Sequence, residues 1–233
     1  MLETLDIEPV GAARRAVIWL HGLGADGYDF EPLVRDWGLT EQLAARFVLP
    51  HAPRRPVTVN GGMVMRAWYD IYDLNFRSGE DREGIESAHQ HLLDLIAREQ
   101  ARGISSEHIV LAGFSQGGAV ALHTALRFAQ PLAGVLALSS YLPLADGLAG
   151  QCSAERARLA IRMDHGDSDP VVPFRLAERS CALIQAQVGL RDTVDAELTA
   201  AGQQQPSQQA QDRGFAGTGG PHHRQPLARL QLQ

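Results

Sequence analysis

One serine stands out chemically. Ser115 sits in Gly113-Phe-Ser-Gln-Gly117, directly after the apolar run Ile109-Val-Leu-Ala112 and directly before a helical pattern. A strand that turns sharply into a helix carries such a serine on a strained corner, with its Oγ raised above the sheet edge. Gly113 and Gly117 suit that corner, because a Cβ at either would collide with the neighbouring strand or helix. The helix starting behind Ser115 aims its free N–H groups and its positive dipole end at the reacting centre. The chemistry is nucleophilic attack by a serine on an acyl carbonyl. It requires an oxyanion hole, an acid and a histidine base from elsewhere in the chain.

The segment His21-Gly-Leu-Gly-Ala-Asp-Gly27 follows the strand-like run Ala16-Val-Ile-Trp-Leu20. It admits two readings. Gly22-x-Gly24-x-x-Gly27 after a strand matches a dinucleotide fingerprint, which needs an acid closing a second strand about 20 residues on. Glu41 has the spacing, yet Phe30 to Ala45 reads as helix. The preferred reading is a His-Gly oxyanion loop after an early strand. The N–H of Leu23 and the N–H of Gln116 then converge on the developing negative charge.

The acid belongs downstream of the serine, beyond a strand end. Leu159-Ala-Ile-Arg-Met163 is such a strand, and Asp164-His-Gly-Asp-Ser-Asp-Pro-Val-Val-Pro173 is the turn after it. Asp169 is the choice, since Pro170, Val171 and Val172 fix the turn that presents it; Asp167 is the alternative. His165 precedes the acid, so it belongs at the strand end behind the site.

Further elements must hold these residues in place. Arg46-Phe-Val-Leu49 and Gly134-Val-Leu-Ala-Leu138 read as core strands. Ile85, Ala88, Leu92, Leu95 and Ile96 recur at helical spacing, with Gly103 closing the helix. Gly117 to Phe128 and Arg175 to Gln187 are helical, and Phe30 to Ala45 reads as one helical stretch. His89 and His91 point to different helix faces, so they are read as solvated and not as a metal pair; His123 is read as structural. The alternation predicts an α/β fold with a mostly parallel central sheet and helices on both faces. Between Pro50 and Asp73, prolines and a glycine pair break regular structure, while Met63, Met65, Trp68, Tyr69 and Tyr72 crowd together. Such a segment suits an apolar acyl chain, with Met65 and Trp68 as groove residues. A surface loop burying its own hydrophobes explains it equally well. Asp70 and Asp73 are read as caps or as solvated.

Bulk properties narrow the function classes. The 233 residues suffice for one domain with a sizeable core. An apolar fraction of 45% and a charged fraction of 21% are those of an ordinary globular protein. The net charge of −6, with no basic block, argues against nucleic-acid or anionic-membrane partners. Two cysteines, Cys152 and Cys181, make no disulfide scaffold and fit a reducing cytoplasm. The acidic N-terminus lacks signal-peptide character, and no apolar run approaches a membrane span.

Taken together, the blocks Trp19-Leu-His-Gly-Leu-Gly24, Leu49-Pro-His-Ala-Pro53, Pro56-Val-Thr-Val-Asn-Gly-Gly62, Ala67-Trp-Tyr-Asp-Ile71, Gly113-Phe-Ser-Gln-Gly-Gly118 and His165-Gly-Asp-Ser-Asp-Pro-Val-Val-Pro173 give a specific resemblance. The chain resembles the carboxylesterase and acyl-protein thioesterase group of α/β-hydrolases, also described as phospholipase/carboxylesterases, over roughly residues 14 to 187. The resemblance implies Ser115 as nucleophile, Asp169 as triad acid and Leu23 and Gln116 as oxyanion donors. It implies that the loop around Trp68 borders an acyl groove. It further implies short to medium acyl esters, lysophospholipids or S-acylated proteins as substrates, with no metal or organic cofactor.

The departure from that pattern lies at the C-terminus. The family runs from the last helix into a strand and then a loop carrying the catalytic histidine. A strand of about five residues would place the base around position 200, but no histidine lies between His165 and His222. From Val188 the chain turns glutamine-rich and then glycine-rich, and no apolar run marks a last strand. Residues 1–187 are therefore read as the hydrolase domain and 188–233 as an atypical, poorly ordered segment. The change of texture reads as a shift of reading frame near Gln187-Val188. His222 or His223, flanked by glycine and proline, is the available base; otherwise both are solvated tail residues. Two function classes follow: an active serine esterase, or a catalytically silent acyl-binding or interaction protein on the same fold.

Overall fold

The computed structural model describes residues 2–73, 78–148 and 159–188. Five strands pair parallel with one another. They are β2 (Arg15–Leu20), β3 (Ala45–Pro50), β6 (Ile109–Phe114), β7 (Gly134–Leu138) and β8 (Ile161–Asp164). One strand, β1 (Thr4–Ile7), pairs antiparallel on the outer side of β3, with Thr4 opposite Pro50 and Ile7 opposite Phe47. The order among the described residues is β1-β3-β2-β6-β7-β8. Two short strands, β4 (Arg54–Val57) and β5 (Met63–Arg66), form a separate antiparallel hairpin.

Parallel strands buried on both faces read as continuous apolar runs rather than as alternation, and β2 shows why. Ala16, Ile18 and Leu20 pack on one face against Ile85, Leu92 and Ile96 of α3 (Arg82–Ala101) and Ala119 and Leu122 of α4 (Gln116–Ala125). Val17 and Trp19 pack on the other face with Phe47 and Leu49, against Phe30 and against Val34 of α1 (Glu31–Asp36). Trp19 and Phe30 stack with ring centroids 4.6 Å apart. The amphipathic helix α5 (Phe174–Val188) contributes Cys181 and Ile184 to the first face. Asp81 caps α3, its Oδ1 accepting from Gly84 N at 3.0 Å, and Gly103 ends the helix at φ +94°.

An ion-pair network ties the C-terminal end of α3 to β1 and to the start of β3. Glu99 of α3 is fully buried. Its carboxylate meets Arg46 at 2.5 Å, Arg98 at 3.0 Å and Arg102 at 3.3 Å. Arg98 and Arg102 reach on to Asp6 of β1 at 3.0 and 2.9 Å.

Three expectations are revised, and the helical reading of Glu41 stands. The stretch Phe30 to Ala45 is two helices, α1 and α2 (Leu39–Leu43), because Gly38 takes φ +59° between them. Glu41 lies within α2 and its Oε1 accepts from Val10 N, so the acid that a dinucleotide site needs at a strand end is not there. The segment after Pro50 contains the β4–β5 hairpin rather than only irregular chain. His89 is half-buried, with Nδ1 3.0 Å from Thr124 Oγ1, rather than solvated. Cys152, His222 and His223, with the predicted segment after Val188, lie outside the described residues. Among the described residues no helix is long and apolar enough to cross a membrane.

Candidate active site

The C-terminal ends of β6 and β7 meet at Ser115. The serine directly follows β6 and precedes α4, at φ +52° and ψ −117°. That backbone region costs a non-glycine residue on the order of 1–3 kcal/mol and persists only where surroundings impose it. Three contacts impose it here. Ser115 N donates to Leu138 O at 2.8 Å, Ala119 N donates to Ser115 O at 3.0 Å, and Ser140 Oγ donates to the same carbonyl at 2.9 Å. The flanking glycines are steric requirements. A Cβ on Gly113 would fall inside the Gly117–Gly118 backbone, and one on Gly117 would stand 2.6 Å from the Leu20 carbonyl carbon.

The loop after β2 lies against this corner. A Cβ built on Gly22 would be 3.6 Å from Ser115 Cβ and 3.0 Å from the Phe114 ring. Among the described residues the N–H groups of Leu23 and Gln116 have no hydrogen-bond partner. The loop itself is heavily tied. Trp68 Nε1 donates to His21 O at 2.9 Å, Gly24 N donates to Arg66 O at 2.9 Å, and Ala25 N donates to Gly22 O at 3.3 Å. The His21 ring lies between Gly22 O, 2.7 Å from Nδ1, and Ala52 N, which donates to Nε2 at 3.0 Å. Burial, above all, lowers the His21 pKa to about 4, so the ring is neutral at ordinary pH.

Two positions gain a meaning that the sequence reading did not give them. The side chain of Gln116 is buried and bridges to the segment after β5: Oε1 accepts from Trp68 N at 3.0 Å and Nε2 donates to Tyr69 O at 2.7 Å. Trp68, expected along a groove, is only 2% exposed, and its indole holds the loop after β2. Met65 is half-buried, with its sulfur 3.7 Å from where a Gly24 Cβ would lie, so it does sit over the loop. Beyond it the hairpin exposes Met63 and Val64. Asp70 accepts from Thr58 N at 2.7 Å and from Thr58 Oγ1, tying the chain after Trp68 to the turn that joins β4 to β5. The signals available in sequence were a histidine directly before the first loop glycine and a glutamine on the first turn of a helix.

The acid turn joins the same end of the sheet. Ser139 N donates to Asp164 O at 2.8 Å, so β7 bridges the serine corner to the end of β8. Asp169, its side chain 2% exposed, accepts at Oδ1 from Val171 N (2.8 Å) and Val172 N (3.0 Å). Asp167 is exposed and only receives Ser168 Oγ at 2.9 Å. His165 is buried behind the turn. Its Nε2 donates to Val172 O at 2.8 Å and stands 3.6 Å from Asp169 Oδ2. No histidine among the described residues hydrogen-bonds Ser115 Oγ, and none of their His, Cys, Asp and Glu side chains cluster as a metal site.

Known proteins are similar to this chain in sequence and in fold. Acyl-protein thioesterase 1 of Neurospora crassa is 40% identical over 187 residues, which cover 77% of this chain and 76% of that protein. Acyl-protein thioesterase 1 of Schizosaccharomyces pombe is 37% identical over 179 residues, covering 77% and 79%. Among solved structures, Zea mays acyl-protein thioesterase 2 superposes with a TM-score of 0.72 at 29% identity, covering 82% of this chain and 87% of that one. Arabidopsis thaliana SOBER1 gives 0.69 at 32% identity, covering 76% and 85%. The sequence profile of phospholipases and carboxylesterases matches residues 6–211. A serine held at a strained strand–helix corner, on a sheet shared with these enzymes, settles the class: the chain belongs to the phospholipase/carboxylesterase family of α/β-hydrolases, a family of serine-hydrolase esterases.

Proposed function

We propose that the chain hydrolyses carboxylic esters or thioesters of short to medium acyl chains through a Ser-Asp-His triad. Ser115 Oγ attacks the acyl carbonyl while a histidine takes its proton, and Asp169 orients that imidazole and stabilises its cation. The Leu23 and Gln116 N–H groups receive the oxyanion. The acyl-enzyme is then hydrolysed by water that the same histidine activates. His222 or His223 serves as the base in this reading. Small acyl esters, lysophospholipids and acylated proteins are the substrate classes, with the apolar surface of Met65 and the hairpin receiving the acyl chain. A reducing cytoplasm suits Cys181, a buried thiol. No metal or organic cofactor enters the scheme.

The observation that carries this reading is the strained Ser115 set beside two N–H groups without a partner among the described residues, with the buried Asp169 side chain on the same sheet end. A fluorophosphonate probe tests it. The expected result is labelling of the wild-type chain and none of Ser115→Ala. Equal labelling of both would remove Ser115 as nucleophile. The absence of any described histidine bonded to Ser115 favours a second reading, a silent acyl-binding protein on the same fold. Under that reading the wild-type chain binds a non-hydrolysable acyl analogue but takes no label.

A further inference from the structure

We infer that His21 aims the Leu23 N–H at the oxyanion by holding the carbonyl at the other end of the same peptide unit. The inference rests on the esterase reading of Ser115 and adds a positioning residue to it. In a trans peptide the C=O and the following N–H lie in one plane and point in opposite directions. Fixing Gly22 O therefore fixes the direction of Leu23 N–H. The Nδ1 atom of His21 is 2.7 Å from Gly22 O, the shortest hydrogen bond to that carbonyl; the turn bond from Ala25 N is longer, at 3.3 Å.

The donor role follows from the other ring nitrogen. Nε2 faces the N–H of Ala52 at 3.0 Å, a group that can only donate. Nε2 must then present its lone pair, which leaves the proton on Nδ1, where it donates to Gly22 O. The imidazolium would set two N–H groups against each other at Ala52. Asp26 favours that cation, while His51 and Arg66 oppose it, and burial opposes it most. The single neutral tautomer is thus maintained through neutral pH. Trp68 completes the arrangement. Its ring centroid lies 5.2 Å from that of His21, and its indole N–H holds the preceding peptide through His21 O. Two successive peptide planes are clamped at a position where glycine gives the backbone no stiffness of its own.

Two isosteric variants separate aiming from space-filling. His21→Asn keeps an N–H near the place of Nδ1 but loses the acceptor for Ala52; His21→Gln keeps an acceptor near Nε2 but loses the donor to Gly22. With p-nitrophenyl butyrate, His21→Gln is expected to lose roughly ten- to a hundredfold in kcat at little-changed KM, while His21→Asn retains most of kcat. Loss of kcat to the same degree in both, in step with their melting temperatures, would reduce the ring to a structural filler. Nitrogen-15 NMR gives a readout independent of turnover. The wild-type ring should show the Nδ1–H tautomer, and the Leu23 amide signal should move in His21→Gln but not in His21→Asn. An Nε2–H tautomer, or a Leu23 signal unmoved in His21→Gln, overturns the inference. A wild-type chain that hydrolyses no ester defeats the esterase reading instead, and the NMR comparison still decides whether His21 sets that peptide.

Discussion

Asp167 and Asp169 lie two residues apart on one turn, yet only one is equipped to hold a charge against an imidazole. Asp169 is buried and receives two backbone N–H bonds; Asp167 faces solvent. In a working triad, Asp169→Asn is expected to cut kcat by about 10⁴, as when an oriented imidazole loses its carboxylate. Asp167→Asn should leave kcat within about twofold, as surface substitutions generally do. Steady-state hydrolysis of a p-nitrophenyl ester checks both, and a reversed order would move the acid to Asp167. The strand-end positions of Ser115, of the loop after β2 and of the turn holding Asp169 were legible in sequence because each follows a continuous apolar run, and the stop of such a run marks a strand end. His21, Trp68 and Gln116 were less legible in their roles. The Ala52 partner of His21 and the partners of Trp68 and Gln116 lie 31 to 48 residues away along the chain, and no local spacing encodes such bonds.

At the scale of elements, α3 is fastened to β1 and β3 by charge as well as by its apolar face. Glu99 is enclosed by three arginines, so its removal takes a buried counter-charge from each and leaves Asp6 and Glu8 as their remaining partners. Glu99→Ala is expected to cost roughly 3–5 kcal/mol, the usual penalty for breaking a buried ion pair from one side. Urea unfolding measures it, and a loss under about 1 kcal/mol would mean that water compensates the arginines. The strands β2, β3, β6 and β7 and the helices α3, α4 and α5 could be read from their apolar periods, and β8 from its apolar run. The edge strand β1 and the β4–β5 hairpin could not. Most of their residues are exposed or half-buried, so burial imposes no apolar pattern. Pro53 and Pro56 also read as breakers, although proline is tolerated on edge strands such as β4 and just before them.

At the scale of the whole molecule, buried histidines make stability depend on pH. Burial chiefly lowers His21 to about 4 and His123 to about 3, from an ordinary value of 6.5. As pH falls below 6.5 the unfolded chain takes up protons that the folded chain refuses. Stability is therefore full above about pH 6.5 and is lost progressively towards pH 4 for His21 and pH 3 for His123. The loss from His21 alone is on the order of 3 kcal/mol. Urea midpoints at pH 7, 6, 5 and 4.5 should decline steadily. The carboxylates of Asp6 and Glu8 add nothing over most of this range. Burial raises their pKa values, but hydrogen bonds and arginines outweigh it and hold both low, so their contribution fades only at more acidic pH. A flat profile between pH 7 and 4.5 would show that neither ring is shielded from protons.

The backbone at Ser115 has one more implication, for how such a protein could be lost. At φ +52° and ψ −117° the serine occupies a conformation that glycine adopts freely. Ser115→Gly should therefore relieve strain worth more than the added entropy of the unfolded glycine, and raise the melting temperature while ending ester cleavage. Screening this chain for heat tolerance alone would favour that change. On the esterase reading, the corner that does the chemistry is the one the fold would be steadier without, so only selection on turnover keeps a serine there.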